Sequence, residues 1–184
     1  MKTTHRFPIL LMLPLVFAGA GMLAALMATK AATLITPEPV TLLDAAATGN
    51  DEAIFRMVSA GQDPGSPVIL ERTVFHWRQG DVASPLLAAI AADSTLSEIT
   101  YLVSQTRRLT ESPNDQALCV AARYGRSGVA EFLMETGAPA VPKGGCGEAK
   151  WPEEIAKKYG SSGLARQLRQ YRIGKVGGAT ASGE

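Results

Sequence analysis

The chain has 184 residues, and its 18 Lys and Arg nearly balance its 17 Asp and Glu, for a formal net charge of +1. This balance leaves no basic surface of the kind that binds nucleic acid, so no nucleic-acid partner is predicted. His76 is the only histidine beyond the leader, and no phosphate-binding loop, nucleophile elbow or His-Glu-x-x-His motif occurs. We therefore predict a protein without enzymatic activity, bound metal or cofactor.

The first predicted element is an apolar segment at the N-terminus. Residues 7–29 carry no charge and are followed by Lys30; as a helix they would span roughly 34 Å, enough for a hydrocarbon core of about 30 Å. Residues 1–30 are therefore predicted to be an uncleaved signal anchor or, because Ala18-Gly19-Ala20 resembles a cleavage site, a signal peptide. Basic residues before the apolar segment favour a cytoplasmic N-terminus and a periplasmic location for the rest of the chain. That part would be anchored to the inner membrane or, after cleavage, soluble in the periplasm.

A short phrase of small residues that ends in glycine occurs three times in the rest of the chain. Alanines precede Gly49, Gly125 and Gly160, and a related phrase ends at Asp93. Alanine lets neighbouring helices approach closely, and glycine suits the left-handed end of a helix. Each phrase is followed by apolar residues at three- and four-residue spacing, which is typical of a helix with one buried face. We therefore predict four units of two short helices each.

The phrase and its period resemble those of ankyrin repeat proteins, whose unit of about 33 residues carries a Thr-Pro-Leu-His-x-Ala-Ala-x-x-Gly phrase. The spacing is 32 residues from Asp93 to Gly125 and 35 from there to Gly160, but 44 from Gly49 to Asp93. The resemblance implies an all-α ankyrin-type solenoid of about four units over residues 40–172, with loop or β-hairpin fingers. It also implies protein binding in the groove formed by inner helices and fingers.

The units are flanked by two segments that do not fit the repeat. Residues 31–39 contain two prolines and are predicted to form a linker. After Arg172 the chain loses apolar residues, so residues 173–184 are predicted to be a disordered tail. The units themselves depart from the family pattern at Asp93, which replaces a glycine, and at Glu153, where leucine is usual. The polar residue in the last unit is expected, because a terminal repeat has no further neighbour.

The long interval between the first two units contains an unusual finger. Between Gly61 and Ser84 the chain is rich in β-branched and aromatic residues, which favours an extended hairpin. Its aromatic residues either fold back over the edge of the first two units or form an exposed epitope for a partner. On the second interpretation the candidate binding residues are Phe75, His76, Trp77 and Arg78. The imidazole of His76 would then be a pH-sensitive contact.

Two pairs of a basic residue and a tyrosine precede the glycines of the last two units. The resemblance implies that the positions before each turn face the groove, and these positions hold Arg123, Tyr124, Lys158 and Tyr159. Tyrosine and arginine are frequent energetic anchors of interfaces, so we predict a partner-binding strip. An ordinary solvated helix surface is the alternative.

The two cysteines, Cys119 and Cys146, are 27 residues apart. In an oxidising compartment they would close a loop and contribute about 3 kcal/mol, provided that their Cα atoms lie within about 7 Å. The alternative is one thiol packed on a helix and one in a loop. The segment that carries Cys146 is rich in Pro and Gly and directly follows the unit that holds Cys119. A disulfide between the two cysteines is therefore one of two alternatives that the sequence leaves undecided.

Together these observations predict a noncatalytic protein–protein interaction module in the periplasm. One version is a scaffold that supports a periplasmic or envelope partner, which the basic–tyrosine strip favours. The other is an immunity-type inhibitor that blocks a toxin or hydrolase by inserting the aromatic finger. A structural, membrane-anchored stabiliser without a dedicated partner is a third interpretation.

Overall fold

A computed structural model describes residues 41–107 and 109–181. Of these residues 54% are helical, and the described part contains eight α-helices and two short β-strands. The mostly helical fold predicted from the sequence is therefore confirmed. The predicted leader and linker lie outside the described residues. No helix within the described ranges is both long and apolar enough to cross a lipid bilayer.

The helices follow one another as four pairs. In chain order they are α1 (Leu42–Thr48) and α2 (Asp51–Ser59), α3 (Pro85–Ala91) and α4 (Leu96–Gln105), α5 (Ala117–Arg123) and α6 (Ser127–Glu135), and α7 (Pro152–Lys158) and α8 (Ser162–Ala181). Strands β1 (Val68–Ile69) and β2 (Val82–Ala83) lie between the first two pairs, and a 3₁₀ turn (Asn114–Gln116) precedes α5.

A left-handed residue follows the first helix of every pair. These residues are Gly49 with φ 64°, Asp93 with φ 69°, Gly125 with φ 65° and Gly160 with φ 84°. Glycine adopts this conformation without steric cost, and aspartate tolerates it better than most residues. The first helix therefore ends at each of these positions, and the second helix of each pair packs against it.

The first helices pack side by side in one layer, α1 on α3, α3 on α5 and α5 on α7. The second helices lie against them, with α4 also touching α6. Alanines make the close approach of the first helices possible, and all seven residues of α3 are buried because it has a neighbour on both sides. The core therefore lies between the two layers and is continuous along the described chain.

The insertion between the first two pairs forms the predicted hairpin. Strand β1 pairs antiparallel with β2, and beyond them Val74 and Trp77 exchange backbone hydrogen bonds of 3.0 Å in both directions. At its base the Ser84 hydroxyl donates to the Asn114 side-chain oxygen at 2.6 Å, and the Asn114 amide donates to the Gly65 carbonyl at 2.7 Å. These buried polar contacts tie the hairpin to the segment that leads into α5.

The last pair accounts for the unusual acid of the fourth unit. Glu153 is buried in α7, and its carboxylate accepts a hydrogen bond from the Arg172 guanidinium of α8 at 2.7 Å. The same guanidinium lies 4.3 Å from the ring centre of Trp151. Helix α8 continues to Ala181 and so covers most of the segment from residue 173, for which the sequence predicts disorder. No proline interrupts the helix there, which allows its backbone ladder to continue.

Candidate functional site

The aromatic residues of the hairpin lie against the end of α5. Phe75 and His76 form the two-residue turn between Val74 and Trp77, and Phe75 adopts a φ of 53°, which is uncommon for a bulky residue. The ring centres of Phe75 and Tyr124 are 6.1 Å apart, edge to face. The side chain of Trp77 is only 7% exposed, whereas Phe75 is 40% exposed. The hairpin therefore buries one aromatic ring and leaves another at the surface.

His76 joins the hairpin to the third helix pair. Its Nδ1 lies 3.1 Å from the hydroxyl of Tyr124, and its ring centre lies 4.1 Å from that of Trp77. Burial lowers the pKa of His76 to about 4, and the positive charge of Arg123 acts in the same direction. Burial also raises the pKa of Tyr124. Both groups are therefore neutral near pH 7, and the contact between them is a hydrogen bond between uncharged rings.

Arg123, the residue before Tyr124 and the last of α5, begins a cluster of charged groups. The Arg123 guanidinium donates to the Tyr159 hydroxyl and to the Glu148 carboxylate, and it lies 4.9 Å from the centre of the Tyr159 ring. The Tyr159 hydroxyl in turn donates to Glu148 Oε1 at 2.9 Å. Lys158 forms an ion pair with the second oxygen of the same carboxylate. One carboxylate thus receives hydrogen bonds from three side chains, those of Arg123 in α5, Lys158 in α7 and Tyr159 directly after α7.

These contacts change the acidity of the groups involved. Hydrogen bonds from Lys158 and Tyr159 lower the pKa of Glu148, and the same carboxylate raises the pKa of Lys158. Both groups are therefore charged throughout the physiological range. The cluster carries two cations, from Arg123 and Lys158, against the one anion of Glu148.

Glu148 is the residue that the sequence analysis missed. It lies in the loop between α6 and α7, two residues after Cys146, which forms a disulfide with Cys119 at a Cα–Cα distance of 5.5 Å. Cys119 stands one helical turn before Arg123 in α5, so the two side chains share a face. Of the two states left open for the cysteines, the structure contains the disulfide, and it holds Glu148 beside Arg123.

The predicted site residues from the hairpin and from α5 and α7 form one surface, which we call the contact strip. Its members are the predicted residues Phe75, His76, Arg123, Tyr124, Lys158 and Tyr159, together with Glu148, which the sequence did not predict. Trp77 is buried beneath it. Arg78 is exposed, and its backbone N–H donates to the Asp81 carboxylate at 2.7 Å. For Trp77 the structure therefore agrees with the fold-back interpretation, while Phe75 is left accessible.

Comparison of the chain with protein-family models finds no match, and comparison with curated proteins finds none either. The indications of function therefore come from the chemistry of the contact strip. It offers aromatic faces, two cations and one carboxylate, and it holds no arrangement of nucleophile and base among the residues just described.

Proposed function

We propose that the chain is a noncatalytic, ankyrin-type protein-binding module that is exported to the periplasm and supports a partner protein bound at the contact strip. The observation that carries this proposal is the continuity of the strip. Phe75 and His76 of the hairpin contact Tyr124, and Tyr159 contacts Arg123, the residue directly before Tyr124, so side chains up to 84 positions apart in the chain lie on neighbouring residues. A surface assembled from three separate segments favours recognition of another macromolecule.

The helix arrangement supports the ankyrin part of the proposal. Each pair has a short first helix, a left-handed residue after it and a second helix that packs against the first. Ser84 caps α3 by accepting a hydrogen bond from the Leu87 N–H, and Pro85 stands at the first helical position, which corresponds to the Thr-Pro of the family phrase. The first helices are packed side by side, as expected for stacked repeats.

The composition of the strip supports binding of a protein. Tyrosine, arginine and other aromatic residues contribute most to the energy of protein interfaces. Here they are already held in place, Tyr124 by His76 and Tyr159 by Arg123 and Glu148. Side chains fixed before association lose less conformational entropy on binding, which favours affinity.

The hairpin contacts favour the scaffold over the inhibitor. An inhibitor that inserts its finger into a cleft needs protruding aromatic side chains. Trp77 is instead buried in its own domain, and His76 and Phe75 pack against Tyr124. The finger thus adds to the strip rather than extending away from it.

Two features support the proposed location. The disulfide between Cys119 and Cys146 suits an oxidising compartment such as the periplasm. The predicted leader, residues 1–30, lies outside the described residues, and a reporter fused after Ala32 tests export directly. Activity of that reporter in the cytoplasm alone would contradict the location.

Site-directed photo-crosslinking in cells that produce the full chain tests the surface. A crosslinking amino acid replaces Phe75 in the strip or, as a matched control, Phe55, which is 62% exposed on α2. We expect a discrete crosslinked product from position 75 and none from position 55. The product should disappear when Tyr124→Ala and Tyr159→Ala are added to a chain that still folds. Equal crosslinking at both positions would refute the proposed surface.

A further inference from the structure

We propose that the partner presents an acidic side chain, whose carboxylate replaces that of Glu148 between Arg123, Lys158 and Tyr159, beside an apolar or aromatic side chain that packs on Phe75 and Tyr124. This inference rests on the proposed function, because it names the chemistry of the partner at the same strip. It identifies the kind of segment recognised, an exposed acidic loop or chain end of a protein.

The donors around Glu148 form a carboxylate site that does not depend on Glu148 itself. Arg123 is held at the end of α5 and Lys158 and Tyr159 at the end of α7, two helices that pack side by side. Glu148 approaches them from a separate loop. A second carboxylate in the same place would find the same three donors, and guanidinium and ammonium groups are strong donors to carboxylates.

The charges of the cluster favour an acidic partner. Two cations surround one anion, so the site retains a positive charge while Glu148 occupies it and gains a further one when Glu148 leaves. A basic partner would meet Arg123 and Lys158 with the same sign. An acidic one is attracted before contact, since complementary charges steer association.

The site is open enough for this exchange. The side chain of Lys158 is 57% exposed and that of Glu148 is 29% exposed, whereas Arg123 is more enclosed at 18%. An ion pair at this exposure is screened by water and contributes little, so replacing it has a small cost. Arg123 therefore forms the enclosed floor of the site, and Lys158 and Glu148 are the groups that an incoming side chain can reach.

The neighbouring surface indicates what accompanies the acid. Arg123 and Tyr124 are adjacent in sequence, and the ring of Phe75, a residue that is 40% exposed, lies edge to face against that of Tyr124. His76 is uncharged there, so this half of the strip is aromatic and neutral. Aromatic faces gain most from apolar and aromatic partners. The recognised segment should therefore carry its acid within a few residues of a large apolar side chain.

Two displayed libraries of short random peptides test the inference on the full chain. They differ in one fixed central residue, which is Glu in one library and Gln in the other. We expect the Glu library to yield the binders. The selected peptides should bind Glu148→Gln about fivefold more tightly, the upper range for release of an exposed ion pair. Their affinity for Arg123→Gln and for Lys158→Gln should be lower than for the unaltered chain. High salt should also lower their affinity for the unaltered chain.

The outcomes separate this inference from the proposed function. One outcome is that both libraries yield equal numbers of binders, whose affinity falls with Phe75→Ala plus Tyr124→Ala but does not change with Glu148→Gln. This outcome would overturn the inference of an acidic partner and would still support the contact strip as the binding surface. Peptides that are insensitive to every strip variant, or an absence of any binder, would overturn both. Lys158→Gln alters a mostly exposed side chain, so this variant should fold. Its peptide affinity can therefore be measured even if another variant fails to fold.

Discussion

Protonation of His76 should destabilise the protein in mild acid. In the folded chain its pKa is about 4, below the ordinary value of 6.5. The unfolded chain therefore binds a proton at a higher pH than the folded chain does, and stability falls as the pH drops from about 6.5 towards 4. At neutral pH the imidazole is neutral in the folded chain, and the contribution is fully present.

The size of this effect follows from the two pKa values. Between about pH 7 and about pH 5 they correspond to at most about 2 kcal/mol of unfolding free energy. His76 is only half-buried, and water screens part of this amount, so we expect about 1 kcal/mol. Arg123 disfavours the imidazolium, while Glu148 and Asp81 favour it, and their charges oppose one another.

Urea unfolding of the full chain at both pH values measures the effect, with His76→Gln as the matched control. Glutamine can exchange a hydrogen bond with the Tyr124 hydroxyl but does not titrate. Trp151→Phe in both proteins leaves the buried Trp77 as the fluorescent reporter. The wild type should lose about 1 kcal/mol more than the control on acidification. Equal losses, or an NMR titration of His76 near its ordinary pKa, would refute the reasoning.

Two further changes test the framework that positions the strip. Replacing Cys119 and Cys146 by serine should lower the unfolding free energy by about 3 kcal/mol, because the unfolded chain loses its loop closure; thermal unfolding that is unchanged from the wild type would contradict this. A Cβ at Gly65 would lie 2.5 Å from a threonine methyl group, so Gly65→Ala should destabilise the protein by roughly 1–3 kcal/mol. The matched control is Gly128→Ala in α6, where the new carbon has open space around it. This change should stabilise the protein by about 0.5–1 kcal/mol. Equal changes in the unfolding free energy of the two variants, measured in urea, would disprove the packing argument.

The parts of the fold that could be predicted from the sequence depend on the conformational preferences of neighbouring residues. Alanine runs followed by Gly49, Gly125 and Gly160 mark the ends of first helices because a left-handed turn needs glycine or its nearest substitutes. The hairpin was predictable for a similar reason, since β-branched residues disfavour helix. In contrast, α8 continues past the last residues that pack on the core, where composition alone predicts a disordered tail.

The parts that sequence reasoning did not reach depend on contacts between distant residues. The hydrogen bond between His76 and Tyr124 joins residues 48 positions apart, and no local pattern indicates it. Glu148 looks like one of many exposed acids in a loop. It becomes identifiable only if the disulfide is assumed first, because Cys146 then brings its loop to the face of α5 that carries Arg123.

The long insertion of the first interval has a structural reason in the second helix pair. At the two positions where the third and fourth pairs carry a basic residue and a tyrosine, the second pair carries Ala91 and Ala92. Ala91 is buried, and Trp77 belongs to the same core cluster. The hairpin thus supplies aromatic rings, which this pair lacks at those two positions, and its His76 reaches Tyr124 of the next pair. Without the insertion the strip would have only the two pairs of side chains from the last two helix pairs, whereas the hairpin adds a third, uncharged contact beside them.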